Sequence, residues 1–187
     1  MEVINLTQSA DRSFTDQVRQ ESGQDLVQCY QCGNCTAGCP LSADFDLPVH
    51  QIMRLTQAGI KEQALGSRSI WLCATCETCT TRCPNNIDVA RIMDVLRHMA
   101  RREDNVAEKL VKLFHDSFLE SVKKHGRVFE MGLLMNYNLR SFNFLADAEL
   151  GPKLMLKGKL SPKAHEIQGK DAVARIFERF EQAKGGE

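Results

Sequence analysis

The chain lacks an excess of charge of either sign: 24 Lys and Arg stand against 24 Asp and Glu in 187 residues. A nucleic-acid binder carries a basic surplus, so that class is excluded. The acidic surplus of a small, freely diffusing electron carrier is missing too. No window approaches 18 consecutive apolar residues, which leaves no candidate transmembrane helix. The opening MEVINLTQSADRSFTDQVRQ shows no basic stretch followed by an apolar one, so no secretory leader is read. Also absent are G-x-G-x-x-G after a strand, H-E-x-x-H and G-x-x-x-x-G-K-[ST], which removes the dinucleotide, zinc-peptidase and phosphate-loop signatures. The five histidines (His50, His98, His115, His125, His165) fall singly and read as surface or half-buried side chains. Cysteine is missing from everything after residue 83.

What is present is concentrated before that point. All eight cysteines lie between Cys29 and Cys83. Residues 29–40 read CYQCGNCTAGCP and residues 73–84 read CATCETCTTRCP. Each is C-x2-C-x2-C-x3-C-P, and one offset of 44 residues relates Cys29 to Cys73, Cys32 to Cys76, Cys35 to Cys79, Cys39 to Cys83 and Pro40 to Pro84. Five positions matched at a single offset mark an internal duplication. Clustered thiols in a chain without a secretory leader read as metal ligands in a reducing compartment, so the expected location is the cytoplasm.

The rest of the pattern is helical. Pro48 suits a first turn, and Val49, Ile52, Met53, Leu55 and Ala58 follow at helical spacings until Gly59 and Gly66 interrupt them. Asn86 and Asp88 are candidate caps for a second helix carrying Ile92, Met93, Leu96 and Met99 and ending near Arg101 and Arg102. Asn105 and Glu108 resemble a capping box ahead of Leu110, Leu113, Phe114, Phe118 and Val122, which predicts a helix running to Gly126. A further helical stretch is expected over about 128–145, with a break near 136–141. Gly151, Pro152, Gly158, Pro162 and Gly169 punctuate an irregular lysine-rich segment, and a last helix is expected over 170–184. No stretch shows the period-2 alternation of strands. The predicted fold is all-α: an α-helical ferredoxin-like two-cluster domain over 25–102, an N-terminal helical arm over 1–24, and a helical C-terminal extension for partner docking over 103–187.

A [4Fe–4S] cube takes four thiolates, one per iron. Three cysteines at two-residue intervals supply three corners from one turn, and the fourth, before proline, belongs to the other cube in two-cluster ferredoxin units. Cys29, Cys32, Cys35 and Cys83 are therefore assigned to one cluster, and Cys73, Cys76, Cys79 and Cys39 to the second. The proline holds the preceding cysteine extended and turns the chain away. Gly33, Ala37, Gly38, Ala74, Thr75, Thr78 and Thr80 permit close backbone approach, and N–H and hydroxyl groups near sulfur raise the potential. Helix N-termini near Pro48 and Asp88 would direct positive ends at the reduced cluster. Structural zinc is the alternative, but it uses two separated pairs for each ion, and each loop here carries four cysteines in ferredoxin spacing.

Eight cysteines fill eight cluster positions, so none remains for a nucleophile, a disulfide-exchange pair or a third cluster. The motifs CYQCGNCTAGCP (29–40) and WLCATCETCTTRCP (71–84), the NNIDV that follows, and GRVFEMGLL in the extension resemble the iron–sulfur C subunits of heterodisulfide reductase. The specific part of the likeness spans about 25–100; the extension matches more loosely. The resemblance implies an electron-transfer subunit of a cytoplasmic oxidoreductase complex, not catalytic alone. It would relay electrons through two [4Fe–4S] clusters between an A-like flavin and iron–sulfur subunit and a B-like subunit whose CCG motifs carry the disulfide chemistry. All eight ligand positions of the family are present, and no CCG motif is.

Rival readings each lack a feature. A stand-alone ferredoxin would be shorter; the iron–sulfur subunit of a fumarate reductase-type complex would bring a C-x4-C-x2-C domain; a redox sensor would bring a switch element such as a helix-turn-helix. Lys153, Lys157, Lys159, Lys163 and Lys170, interrupted by Glu166, read as a solvated segment, with docking to an acidic partner as the alternative. Phe114, Phe118, Phe129, Phe142, Phe144, Phe177 and Phe180 read by helical spacing as core, with a subunit interface as the alternative. Trp71 and Tyr30 flank the cluster loops as candidate shields against water or as plain packing residues. The neutral sum counts cysteines as uncharged. With eight thiolates and two cubes the loaded protein is more acidic, and its excess negative charge lies within 29–83.

Overall fold

A computed structural model describes residues 10–143 and 150–184, and no strand occurs among them. Of the sequence expectations, the first nine residues of the N-terminal arm, Phe144 and the end of the helix expected to reach residue 145 lie outside the described residues. The chain divides into two compact units, Met1–Glu108 and Lys109–Glu187.

The first unit holds α1 (Arg12–Ser22), a 3-10 turn (Leu26–Gln28), α2 (Asn34–Ala37), α3 (Val49–Gln57), α4 (Lys61–Leu65), α5 (Ser69–Leu72), α6 (Thr78–Thr81) and α7 (Val89–Arg102). Helix α1 starts where the Asp11 carboxylate accepts the backbone N–H of Ser13 at 2.9 Å, and stops at Gly23, which takes the left-handed conformation at φ 66°. Phe14 and Val18, one turn apart, are buried against α3 and α7. The α3 face of Val49, Ile52 and Met53 and the α7 face of Val89, Ile92, Met93, Leu96 and Met99 supply most of the remaining core. Each such side chain contributes about 1.5–3 kcal/mol by leaving water. Gly59, at φ 72°, lets the chain pass against Asp11, whose N–H donates to the Gly59 carbonyl at 2.8 Å. Arg102, in the last turn of α7, holds both carboxylate oxygens of Glu21 at 2.7 Å.

The second unit holds α8 (Lys109–His125), α9 (Glu130–Arg140), α10 (Leu150–Leu156) and α11 (Lys170–Lys184), with α9 and α11 packed on α8. The helix expected from Asn105 begins only at Lys109, because Glu108 pairs with Arg68 instead of capping. The break expected near 136–141 falls at the helix end, Ser141. Pro152 sits in the first turn of α10, where its missing N–H costs nothing, so part of the segment read as irregular is helical. Helical spacing assigned the phenylalanines to a core, yet Phe114, Phe118, Phe142 (83%) and Phe180 are exposed, and Phe129 and Phe177 are half-buried. Among the described residues of this unit only Leu133 and Ser117 are buried. Its stability rests on partly covered pairs such as exposed Phe114 edge-on to half-buried Tyr137 and on ion pairs such as Lys123–Glu181 at 2.9 Å.

Candidate iron–sulfur site

The two cysteine loops repeat one another in backbone as well as in sequence. Gln31 and Thr75 both take positive φ (64° and 51°), as do Gly33 and Glu77 (81° and 60°), each pair 44 residues apart. Side-chain-bearing residues occupy left-handed backbone only where the surroundings hold them there. After each such turn comes a four-residue helix, α2 in the first loop and α6 in the second, and these two pack together. Where they meet, a Cβ placed on Gly38 would collide with Arg82 Cδ. Position 38 is the sequence counterpart of position 82, so one large side chain fills the crossing and glycine makes room for it.

A threonine then ties each loop to the helix that follows. Thr36 Oγ1 accepts the His50 N–H at 3.0 Å at the start of α3, and Thr80 Oγ1 accepts the Ala90 N–H at 3.1 Å at the start of α7. Thr80 also donates to Asp88, which caps α7 by accepting the Arg91 N–H at 3.0 Å. Thr36 lies 2.9 Å from His50 Nδ1. Before the second loop, Asp46 gathers the segment ahead of α5: it accepts from Ser67 Oγ (2.8 Å), Arg68 N (2.9 Å), Ser69 N (2.9 Å), Ser69 Oγ (2.6 Å) and Leu47 N (2.9 Å). These bonds hold its carboxyl down at about 2, against desolvation pushing the other way.

Two apolar-lined recesses result. One is walled by Cys29, Cys32, Cys35 and Cys83 together with His50, Met53, Ile87 and Val89. The other is walled by Cys39, Cys73, Cys76 and Cys79 together with Leu41, Phe45, Val49 and Met93. Each set combines three cysteines of one loop with the fourth of the other. Cys32 and Cys76 are exposed and Cys79 is buried. Burial pushes the Cys79 thiol up to about 11 and raises Cys35 and Cys39, whereas hydrogen bonding to Thr78 lowers exposed Cys76. Thiolates in the buried positions therefore need cationic metal beside them.

Among the described residues no three Cys, His, Asp or Glu side chains converge on a point that would hold a single ion. Four soft sulfur donors around each recess have the chemistry to hold a polynuclear iron–sulfur cluster. Trp71 is buried with its indole N–H unpartnered and lines neither recess, and Tyr30 is 62% exposed. The apolar side chains just named wall the recesses, and the Tyr30 hydroxyl lies beside Cys32.

Sequence reasoning passed over His50, Gln31, Gln57, Arg97 and the anchoring role of Thr36. The signal was a second offset. Val49, Ile52 and Met53 recur 40 residues on as Val89, Ile92 and Met93, so the duplication continues past the cysteines after a four-residue gap. At that offset His50 faces Ala90 and Gln57 faces Arg97.

Residues 25–87 match the 4Fe-4S dicluster domain family. The C subunit of the H(2):CoB-CoM heterodisulfide,ferredoxin reductase of Methanothermobacter thermautotrophicus is 30% identical over 92 residues, 49% of this chain and 50% of that protein. The second iron-sulfur C subunit of the CoB--CoM heterodisulfide reductase of Methanocaldococcus jannaschii is 33% identical over 115 residues, covering 57% and 61%. The C subunit of the Ferredoxin:CoB-CoM heterodisulfide reductase of Methanosarcina mazei is 31% identical over 123 residues, covering 62% and 75%. The chain thus spans about half the length of the first of these and three quarters of the last. With eight cysteines in two repeated loops and a dicluster domain over them, the cofactors are two [4Fe–4S] clusters.

Proposed function

The chain belongs to the family of heterodisulfide reductase C subunits, and on that premise we propose that it is the electron-transfer subunit of a cytoplasmic complex of that type. In this reading Cys29, Cys32, Cys35 and Cys83 hold one cluster, and Cys73, Cys76, Cys79 and Cys39 hold the other. Each cluster, when bound, supplies a one-electron carrier. The partners are an A-like flavoprotein subunit and a B-like subunit bearing CCG motifs, and the chain itself performs no bond chemistry.

The observation that carries the reading is the crossing of the fourth cysteine, which puts Cys83 in the wall of the first recess and Cys39 in that of the second. The chain's own residues have three tasks. Thr36 and Thr80 hold each loop against a helix start; Met53, Ile87, Val89, Phe45 and Met93 keep water from the recess walls; exposed Cys32 and Cys76 bring each site to the surface, where a partner's carrier can approach. The exposed apolar side chains of the second unit (Leu110, Phe114, Phe118, Ile176 and Phe180) support its assignment to partner docking. No helix of the described residues is long and apolar enough to cross a membrane.

Anaerobic affinity purification with iron and acid-labile sulfide analysis tests the proposal. The expected result is two tetranuclear clusters with co-purifying flavin and CCG-type subunits. Tightly bound zinc without labile sulfide would overturn the ligand reading. Two clusters on a chain that purifies alone and shuttles electrons would favour a stand-alone ferredoxin.

A further inference from the structure

The two halves share a backbone clamp that differs in charge. At the end of α3, Gln57 Nε2 donates to the carbonyls of Leu26 (2.6 Å) and Cys29 (2.9 Å). On α7, Arg97 Nε donates to the carbonyl of Ile70 (2.7 Å) and its Nη2 to that of Cys73 (2.6 Å). Leu26 and Ile70, like Cys29 and Cys73, are counterparts at the 44-residue offset, and Gln57 and Arg97 are counterparts at the 40-residue offset. The same two carbonyls, one of them belonging to the first cysteine of the motif, are thus held by a neutral amide in one half and by a guanidinium in the other.

The guanidinium keeps much of its charge toward the sulfur site. Arg97 is 15% exposed, so water screens it weakly. Its acidic neighbour Asp94 meets Nη1 at 3.4 Å, is 43% exposed, and lies 3.6 Å from His98 as well. At the other site the corresponding polar influence is neutral. Gln57 Oε1 accepts from Gln31 Nε2 at 3.2 Å, and that amide nitrogen lies 3.4 Å from Cys29 Sγ. Hydrogen bonds from ionised donors are about twice as strong as neutral ones, so the cationic clamp outweighs the amide. Arg82 does not separate the sites, because it lies across Gly38, beside Cys39 and next to Cys83.

We propose that Arg97 is a positioning residue whose charge makes the paired sites unequal, giving the one walled by Cys39, Cys73, Cys76 and Cys79 the higher reduction potential. Reduction adds negative charge, and a fixed cation hydrogen-bonded to the Cys73 carbonyl favours the reduced state there. With both clusters bound, a single added electron would favour the second site, since the neutral Gln57 gives the first no such stabilisation. The inference rests on the ligand sets proposed above.

An EPR-monitored redox titration of the full chain, purified anaerobically with its clusters and held at about pH 8, where ordinary imidazoles are neutral, tests it. Arg97→Gln, which installs the residue the other half uses, should lower the upper midpoint and narrow the gap. Arg97→Lys, which retains charge, should leave both midpoints near their original values. Gln57→Arg should raise the lower midpoint, and the double exchange should invert which ligand set is reduced first. A clamp with only a structural role predicts no shift in Arg97→Gln, and that result overturns the proposal, as does a fall in the lower midpoint instead of the upper. Should Arg97→Gln lose its cluster, Gln57→Arg decides alone: a lower midpoint that fails to rise refutes the charge argument. A wild-type chain without two tetranuclear clusters would instead show, by iron and sulfide content, that the ligand reading beneath it had failed.

Discussion

Replacing Asp46 by Asn removes one charge and leaves the side-chain shape almost unchanged. Asp46 Oδ1 accepts four hydrogen bonds and Oδ2 accepts the Arg68 N–H at 2.9 Å, so the carboxylate closes the turn that leads into α5 and on to Cys73. Asparagine can keep the Oδ1 bonds, but it presents an N–H₂ to the Arg68 N–H, a donor facing a donor, at a cost of about 1–3 kcal/mol. The carboxyl gives an independent figure. At roughly 1.4 kcal/mol per pH unit, its depression from 3.8 to about 2 caps the contribution at about 2.5 kcal/mol. Asp46 is exposed on one side, so screening reduces this to about 1–2 kcal/mol.

With a urea slope of about 2 kcal/mol/M, Asp46→Asn should move the unfolding midpoint down by about 0.5–1 M, followed anaerobically by visible cluster absorbance and far-UV circular dichroism. The sign of the pH dependence follows from a lowered folded-state value. The stabilisation is fully present above the unfolded carboxyl's ordinary 3.8 and is lost as pH falls through about 2. The gap between wild type and variant should therefore be the same at about pH 5 and about pH 8. A midpoint unchanged to within about 0.2 M, or a gap that closes between those two pH values, would refute the account of Asp46.

Cys39→Ser should damage the cluster shared with Cys73, Cys76 and Cys79 and spare the one shared with Cys29, Cys32 and Cys35, as read by EPR and iron content; loss of the latter alone sinks the crossed assignment. Gly59→Ala puts a Cβ 2.6 Å from the Asp11 carbonyl oxygen and 2.8 Å from its nitrogen at φ 72°, so it should cost roughly 3 kcal/mol in denaturant unfolding. Gly33→Ala, with nothing within 4 Å and Glu77 already left-handed at the equivalent place, should cost only about 1 kcal/mol. Gly38→Ala collides with the Arg82 side chain, so Arg82→Ala should recover about 1 kcal/mol of that loss in a double-mutant cycle; simple additivity would show that the two positions do not compete.

The sequence alone determined what depends on neighbours along the chain. The cysteine spacing, repeated at 44 residues, named the cofactor and suggested two ligand sets of four. The 3.6-residue periodicity located α3, α7 and α11, because a helix and its buried stripe are local properties. It misplaced the start of α8, since Glu108 turns to Arg68, 40 residues earlier, and a capping box is blind to such a competitor. It also assigned the phenylalanines of the second unit to a core, because periodicity shows that a helix has an apolar face but not that anything covers it.

What only the tertiary structure decided is the environment of the sulfur sites. Gln57 reaches back 31 residues to Leu26 and 28 to Cys29, and Arg97 reaches 27 to Ile70 and 24 to Cys73. Neither residue belongs to a motif, and in the linear chain each is one more polar residue on an amphipathic helix. Their roles arise because α3 and α7 pack so that the two side chains meet equivalent carbonyls. Candidate ligands can be read from local spacing, whereas the electrostatic field around a cluster is a sum over whatever the fold brings near it.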